Sequence, residues 1–263
     1  DAGITAAKNE WMLFTDVDCR VSPEWVAGMA SYFCNENDYV IGHSVVKLGN
    51  TLLNIFQSID FFLLLVAARG AANLMHPWAC TGQNQAYRKS LYQKIGGFSR
   101  IKNQIQGDDS LFMNLCRQFG KAVVVFADDF QSHVIARQEK KWGSFLYQRL
   151  RWSGDAFIMW KVNVNFYMLM VGFFLLHLTF VLLFCISILF PNYLTVLVKL
   201  LTIKFILEFL LYFAGSRQLD QSLNFKEYFL WFFIHIPHVV LMGFGSFFAK
   251  QLSWRGRKLR LSS

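Results

Sequence analysis

The sequence has little charge and no cysteine pairing pattern. Only 16% of its 263 residues are charged, whereas 54% are hydrophobic and 28 are Phe. This composition is too apolar for an ordinary soluble domain and indicates that part of the chain lies in lipid. The five cysteines form no C-x-x-C pair and have no histidine at metal-ligand spacing. The pattern therefore predicts neither a zinc site nor a disulfide framework.

Charged residues are missing altogether from 166–190. This run exceeds the ~20 apolar residues that cross a bilayer core, so it predicts a transmembrane helix. A tight turn at Pro191 and Asn192 leads into 193–215, which we predict to be the returning helix. The formal charge of +9 does not indicate a nucleic-acid partner. The basic residues cluster beside the apolar segments, as they do in the cytoplasmic flanks of membrane helices.

Two further apolar segments carry interruptions. Asp60 and Arg69 break the helical segment 52–72 and leave an apolar run too short to span a membrane, so we predict a buried or interfacial helix. The segment 229–249 contains one proline and two glycines. Because a full crossing would put the basic tail outside, we predict that this segment forms a kinked or re-entrant hairpin.

The second predicted span carries charges of its own. Lys204 and Glu208 stand four residues apart and can pair on one helical face, which lowers their cost in lipid. The pair either joins helices or forms a polar wall that guides a lipid phosphate or a glycan. His177, His235 and His238 are too dispersed in the sequence for a metal site, and we predict that they pack between helices.

The first 160 or so residues alternate strand-like and helix-like segments. The predicted strands are 11–15, 39–46 and 122–127, and the predicted helices are 23–33 and 109–119. Ser22 and Pro23 are typical of an N-cap followed by a first-turn proline, so they mark the start of the first of these helices. Such alternation is typical of an α/β layer fold.

Two acidic clusters interrupt this globular part. Asp16 and Asp18 end the first predicted strand, and on an extended segment their side chains point the same way. Such a pair suits one metal ion and one diphosphate, and the alternative is that it caps the next helix. Asp108 and Asp109 open a predicted helix, where acids also complement the helix dipole and cap free amides.

A third polar cluster stands just ahead of the long apolar segments. Gln148, Arg151 and Trp152 offer an amide, a phosphate-binding fork and a flat stacking surface from one short helical stretch. The same residues fit an amphipathic helix at the membrane surface, and both interpretations can hold together. Some of the neighbouring cations are interfacial anchors, and Arg149 is not counted in the predicted site.

In this order the three clusters resemble the membrane-bound family 2 glycosyltransferases, which carry a D-x-D, a later acidic pair and a Q-x-x-R-W ahead of their transmembrane helices. The stretch that contains Gly82, Asn84, Ala86 and Arg88 resembles the G-x-N-x-A-x-R of that family, whose polar groups face the donor and acceptor sugars. Asp108 departs from the Glu that is common at the first position of the acidic pair.

The resemblance implies a role for each matching residue. The general base is Asp109, the second member of the acidic pair. The residues implied for the donor diphosphate are Asp16, Asp18, Gln148 and Arg151, and those implied for the acceptor are Gly82, Asp108 and Trp152. Asp16 and Asp18 would also hold a divalent metal ion, magnesium or manganese.

The function implied is inverting sugar transfer from a nucleotide-sugar donor to a lipid or glycan acceptor, with membrane lipids and no nucleic acid as further partners. We expect a multi-pass protein of the cell membrane, taken to be a bacterial inner membrane, with its active site facing the cytosol. A processive polysaccharide synthase is the alternative within this class, and two or three spans are few for one. A non-catalytic membrane protein that retains the fold is the alternative outside it, although transporters usually place polar sites within spans.

The fold class implied is α/β, namely the C-terminal part of a GT-A (nucleotide-diphospho-sugar transferase) domain followed by an α-helical transmembrane region. We expect the strands that bind the nucleotide to be missing ahead of Asp1. The predicted parts are a catalytic domain at 1–135, interfacial helices at 136–163, transmembrane helices at 164–249 and a basic cytosolic tail at 250–263.

Overall fold

The computed structural model describes residues 2–102, 107–154 and 156–249, together with the backbone of 253–254 and 257–258. The first part of the chain builds a mixed α/β unit, and long apolar helices follow it. This architecture agrees with the predicted α/β class and with a helical C-terminal region.

The α/β unit contains two sheets. The strands are β1 (Trp11–Phe14), β2 (Arg20–Val21), β3 (Tyr39–Gly42), β4 (Ser44–Val46), β5 (Gln85–Arg88), β6 (Val124–Ala127) and β7 (Val134–Ala136), with a short hairpin of β8 (Ser253–Trp254) and β9 (Arg257–Lys258) near the C-terminus. The larger sheet has the order β1-β5-β3-β6, in which β5 is antiparallel to both neighbours and β3 is parallel to β6. The smaller sheet has the order β2-β7-β4.

The predicted strand 39–46 is two strands in different sheets. The chain leaves the larger sheet at His43, whose carbonyl oxygen accepts hydrogen bonds from Asn84 Nδ2 at 2.9 Å and from the Val134 amide at 3.1 Å. From there β4 pairs with β7. The single strand was a wrong prediction, because hydrophobicity continues through a point where the pairing partner changes.

The helices divide into short ones around the sheets and long apolar ones. They are α1 (Ala2–Ala6), α2 (Trp25–Ala30), α3 (Leu52–Asn73), α4 (Lys89–Lys94), α5 (Ser110–Gly120), α6 (Trp142–Ser153), α7 (Ala156–Val162), α8 (Val164–Leu189), α9 (Asn192–Gln218) and α10 (Phe225–Ser246), with 3₁₀ turns at Gly97–Ile101 and Phe130–Ser132. The prediction that Ser22 caps α2 is wrong. Glu24 holds the N-cap position, and the Ser22 hydroxyl lies 3.4 Å from the Gln131 carbonyl oxygen.

Three of these helices are long and apolar enough to cross a membrane, namely α3, α8 and α10. Within an apolar stretch of 18 residues, only 11% of α8 is buried inside the protein, whereas 61% of α3 is buried. The prediction that this segment is too short in apolar length to span a membrane is therefore wrong, although its burial agrees with the predicted buried helix. It packs against β4 and β6 as well as against α9 and α10. The predicted second span, α9, is not among the three candidates, because its charged residues interrupt the apolar surface.

The third apolar segment is one continuous helix, so the predicted hairpin is wrong. At 1.5 Å per residue the 22 residues of α10 extend for roughly 33 Å. Its glycines serve close packing and make no turn: a Cβ on Gly243 would lie 2.1 Å from the Phe174 ring, and one on Gly245 would lie 2.1 Å from Leu150. Most of the predicted tail at 250–263 lies outside the described residues.

Polar side chains also meet between the last three helices. The predicted pair is confirmed, since Lys204 Nζ lies 2.5 Å from Glu208 Oε2. The prediction that the histidines are dispersed is wrong for two of them, because the ring centroids of His177 and His235 are 5.1 Å apart. Helix packing brings together residues that the sequence separates.

Candidate active site

The D-x-D residues lie in a tight turn that follows β1. The Cys19 amide donates to the Asp16 carbonyl oxygen at 3.0 Å, so the segment is not extended as predicted. The turn nevertheless gathers the side chains, because ligand atoms of Asp16, Asp18 and Cys19 all lie within 4.8 Å of one another. Both aspartates are exposed. The pair is therefore open to a cation or another ligand from solvent.

Cys19 is a neighbour of this pair that the sequence analysis missed. Burial, followed by the negative charges of Asp16 and Asp18, raises the pKa of its thiol to about 11. Its position directly after the D-x-D is the feature of the sequence that could have identified it as a neighbour of the two carboxylates. All five cysteines are free thiols.

The acidic pair stands at the start of α5. Asp109 is the N-cap residue, and its carboxylate accepts hydrogen bonds from the Ser110 amide at 2.6 Å and from the Gly82 amide. The side chain is half-buried. Burial, followed by the charge of Asp108, raises the pKa of the Asp109 carboxyl to about 6. Asp109 thus caps the helix and also has the titration range of a base that works near neutral pH.

Hydrogen bonds tie the loop before β5 to this acidic pair. The Ser110 hydroxyl accepts from the Cys80 amide at 2.9 Å and donates to the Cys80 carbonyl oxygen at 2.8 Å. Gln85 Nε2 donates to the Asp108 carbonyl oxygen at 3.0 Å. A Cβ on Gly82 would lie 3.8 Å from Asp109 Cβ. Gly82 and Asp109 are therefore neighbours.

The pairing of β1 with β5 brings both acidic clusters to one edge of the larger sheet. Phe14, the last residue of β1, pairs with Gln85, the first residue of β5. The D-x-D turn leaves the sheet at the end where the loop that carries Gly82 enters it. Carboxyl ends of strands are the usual position of ligands in open α/β sheets.

The third motif lies on α6. The smaller sheet directs the chain that enters this helix towards the same edge of the larger sheet. Arg20 pairs with Ile135 in an antiparallel register, so the residues just before β2 run alongside those that lead into α6. A cavity of about 470 Å³ opens on this helix. Its lining residues are Glu139, Gly143, Ser144, Tyr147, Gln148 and Arg151. Gln148 and Arg151 thus share one cavity, and neither the D-x-D nor Asp109 lines it.

Arg149 and Trp152 contact each other on α6, and neither of them lines this cavity. The Arg149 guanidinium lies 2.9 Å from Asp60 Oδ2 of α3 and 4.3 Å from the Trp152 ring centroid. Both charged side chains are buried. Arg149 is therefore an internal ion-pair partner and no interfacial anchor. The half-buried Trp152 ring also packs near Phe61.

Asn84 does not face a sugar site, contrary to what the resemblance implied. It is fully buried, accepts from Trp25 Nε1 at 3.1 Å and donates to the carbonyl oxygens of His43 and Ser132. The hydrogen bonds of its side-chain amide connect α2 to the two sheets.

Arg88 likewise holds the fold. Its guanidinium donates to the carbonyl oxygens of Asn37 and Cys34 and lies 4.7 Å from the Trp11 ring centroid. In the G-x-N-x-A-x-R stretch, Gly82 lies next to Asp109, the predicted catalytic residue, whereas Asn84 and Arg88 stabilise the fold.

Comparison with known proteins assigns the chain to a family. No curated protein matches the chain. The model of the family described as Glycosyl transferase family 21, however, matches residues 2–263. This match supports glycosyl transfer, with a sugar donor and an acceptor in general, whereas family 2 membership and a GT-A fold stay predictions. Because the match covers nearly its whole length, the chain belongs to glycosyl transferase family 21.

Proposed function

We propose that this chain carries out inverting transfer of a sugar from a nucleotide-sugar donor to a lipid or glycan hydroxyl at the cytosolic face of a membrane. The observation that carries the proposal is the position of Asp109. Its carboxylate lies against Gly82, at the same sheet edge from which the D-x-D turn emerges. A base and a pair of exposed carboxylates are the two things that this chemistry requires of the protein.

Asp109 would act as the general base. With a pKa of about 6, the carboxyl is mostly ionised at neutral pH and still close enough to that pH to accept a proton efficiently. The Ser110 and Gly82 amides orient the carboxylate. It would take the acceptor hydroxyl proton while the oxygen attacks the sugar from the side opposite the leaving diphosphate. One displacement of this kind inverts the configuration of the anomeric carbon.

Asp16 and Asp18 would hold a divalent metal ion, magnesium or manganese. Their carboxylates fit it, because they are exposed and approach each other within 4.8 Å, and hard cations prefer carboxylate oxygens. When bound, such an ion neutralises charge on the leaving diphosphate. Gln148 and Arg151 would contribute an amide and a guanidinium to the same diphosphate from the α6 cavity.

The position of α6 supports an acceptor that is itself anchored in the membrane. This helix packs against α10, one of the three helices that are long and apolar enough to span a bilayer. An acceptor head group could therefore reach the α6 cavity while its apolar part stays beside α10. We favour single transfer to a lipid or lipid-linked acceptor over polysaccharide synthesis, because the three candidate spans among the described residues do not by themselves form a channel that extrudes a chain.

The test is an assay of the membrane-embedded protein with a panel of nucleotide sugars and lipid acceptors. We expect transfer with at least one pair, loss of transfer with EDTA, recovery with magnesium or manganese, and an inverted anomeric configuration in the product. Asp109→Asn is the matched inactive protein. Retained configuration, or full activity in EDTA, would contradict the proposed mechanism.

A further inference from the structure

Three side chains of types that often bind metals meet where α8, α9 and α10 pack together. His177 of α8, Glu208 of α9 and His235 of α10 each bring a ligand atom within 4.8 Å of the others. His177 is completely buried and His235 is 7% exposed. The space between them is therefore shielded from bulk water, and it is separate from the sheet edge that carries Asp109.

The hydrogen bonding of His177 leaves one ring nitrogen for a ligand. Its Nδ1 lies 2.7 Å from the carbonyl oxygen of Phe173, one turn earlier on α8, and this bond requires the proton on Nδ1. Nε2 then carries a lone pair, and it has no hydrogen-bond partner among the residues that the structure describes. Donation from one ring nitrogen to a backbone carbonyl is the usual way in which proteins orient a metal-binding imidazole.

His235 and Glu208 each offer a further ligand atom. His235 Nε2 faces Asp60 Oδ1 at 4.0 Å, whereas its Nδ1 has no hydrogen-bond partner within the described part of the chain. Glu208 Oε2 is held by Lys204 Nζ at 2.5 Å, which leaves Oε1 for another partner. His177 and His235 thus each have a ring nitrogen without a hydrogen-bond partner in the described part of the chain, and Glu208 has a second carboxylate oxygen beside the one that Lys204 holds.

We propose that His177, Glu208 and His235 bind a divalent transition-metal ion of the zinc class and thereby link α8, α9 and α10. Two imidazoles and one carboxylate form a donor set typical of zinc, whereas magnesium and calcium take oxygen ligands. Zinc bonds of about 2.0–2.1 Å put tetrahedral ligands about 3.3 Å apart. Ligand atoms within 4.8 Å of one another would have to close by about 1.5 Å at most.

Lys204 is the competing cation at this site. Its ammonium group neutralises Glu208 when no metal is bound, and its positive charge opposes the entry of another cation. Removing this charge should therefore strengthen metal binding. If the cluster is merely an ion pair with two packing histidines, the same change leaves Glu208 buried without a partner and creates no metal affinity.

The experiment begins with a protein that carries Asp18→Asn and Cys19→Ser, so that the D-x-D turn contributes neither its full carboxylate pair nor a thiolate. This parent is stripped with a chelator in detergent and titrated with Co²⁺ and then Zn²⁺. We expect one Co²⁺ per chain, with the visible absorption of a tetrahedral site and no thiolate charge-transfer band, and displacement by Zn²⁺. Zinc should also raise the melting temperature of the parent.

Variants of the cluster identify the ligands. His177→Ala and His235→Ala should each weaken Co²⁺ binding by about 100-fold or more, beyond the ~10–100-fold that changes in the surrounding shell cost. Glu208→Gln should abolish the rise in melting temperature with zinc. His238→Ala is the matched control on α10, because His238 is half-buried on the same helix but lies outside the cluster.

Lys204→Met provides the opposite change. It should increase Zn²⁺ affinity about 10-fold, and zinc should restore its melting temperature. The proposal is overturned if the parent binds no stoichiometric Co²⁺, or if His177→Ala binds as tightly as His238→Ala. It is also overturned if zinc fails to stabilise Lys204→Met. His177→Gln replaces His177→Ala if the alanine variant does not fold.

Discussion

The sheet edge and the helical bundle, which comprises α3, α6 and α8 to α10, use their charged groups in different ways. At the edge, Asp16 and Asp18 are exposed, and the backbone amides of Ser110 and Gly82 orient Asp109. In the bundle, Asp60 holds Arg149 and Glu208 holds Lys204, each pair away from solvent. The comparison teaches that an acid that is exposed or held by backbone amides is available for chemistry at the sheet edge, whereas Asp60, paired with the buried Arg149, stabilises the fold.

The largest effect is expected in the bundle. Asp60→Asn leaves the buried Arg149 without its counter-charge, and breaking one side of such a pair costs about 3–5 kcal/mol of unfolding free energy. Thermal unfolding in detergent measures the loss. The double variant Asp60→Leu with Arg149→Met removes both charges and should recover most of the stability. A double variant as unstable as Asp60→Asn would mean that the loss comes from packing and not from the charge.

The next effect is expected at the sheet edge, and it should change turnover rather than stability. Asp109→Asn keeps the shape and loses the ability to accept a proton, so turnover should fall by ~100-fold or more while donor binding is largely retained. Single-turnover transfer and donor titration measure the two quantities. Asp108→Asn is the matched control and should lose less. Near-normal turnover of folded Asp109→Asn would move the catalytic assignment to Asp108.

The pH dependence follows from the same carboxyl. Its pKa of about 6 means that the base is protonated and inactive at lower pH, so kcat/KM should fall about tenfold per pH unit below 6 and level off above it. A pH–rate profile in the presence of excess metal measures this limb. The limb should be absent from the residual activity of Asp109→Asn. A wild-type profile that is flat from pH 5 to pH 8 would exclude this carboxyl as the base.

A smaller effect is expected at the D-x-D turn. Asp18→Asn replaces a carboxylate with a neutral amide, a far poorer ligand for a hard cation, so metal-dependent donor binding should weaken by at least ~10-fold. Titration of the donor at several magnesium or manganese concentrations measures it. Cys19→Ser is the control, since a hard cation does not need the thiol. Unchanged metal dependence in Asp18→Asn would exclude the pair as the metal site, and Glu24, not this pair, holds the N-cap position of α2.

The smallest effect is expected for Trp152→Ala. The change deletes a stacking surface for the acceptor, so transfer should fall by about 2–10-fold while hydrolysis of the donor by water is nearly unchanged. Trp142→Ala, on the same helix, is the control and should preserve the ratio of transfer to hydrolysis. An equal loss in both reactions would mean that Trp152 acts through its contact with Arg149.

Local features were predictable from the sequence. The helix cap at Asp109 and the pair of Lys204 and Glu208 involve neighbours one and four residues apart, and both were found as predicted. The turn at Asp16 and Asp18 shows the limit of such reasoning. The two carboxylates do approach each other, although the extended backbone that was expected to bring them together is absent from this segment.

Long-range pairing was not predictable. Nothing near Arg149 in the sequence identifies Asp60 as its partner, and nothing joins His177 to His235. Asn84 looked like a sugar-binding residue, because an amide at that position has the right chemistry whether or not it is buried. Burial and partner choice depend on which elements pack together, and hydrophobic patterning does not specify this.

The sequence by itself determined the order of the three polar motifs, the α/β class and the apolar length of the last helices, because composition and short-range spacing are sufficient for each. The tertiary structure alone decided that β1 and β5 bring Asp16, Asp18 and Asp109 to one sheet edge and that α3 buries Asp60 against Arg149. The physical reason is that strand pairing and helix packing act between segments distant in the chain. They therefore decide which charged groups remain open to a ligand and which are neutralised inside the protein.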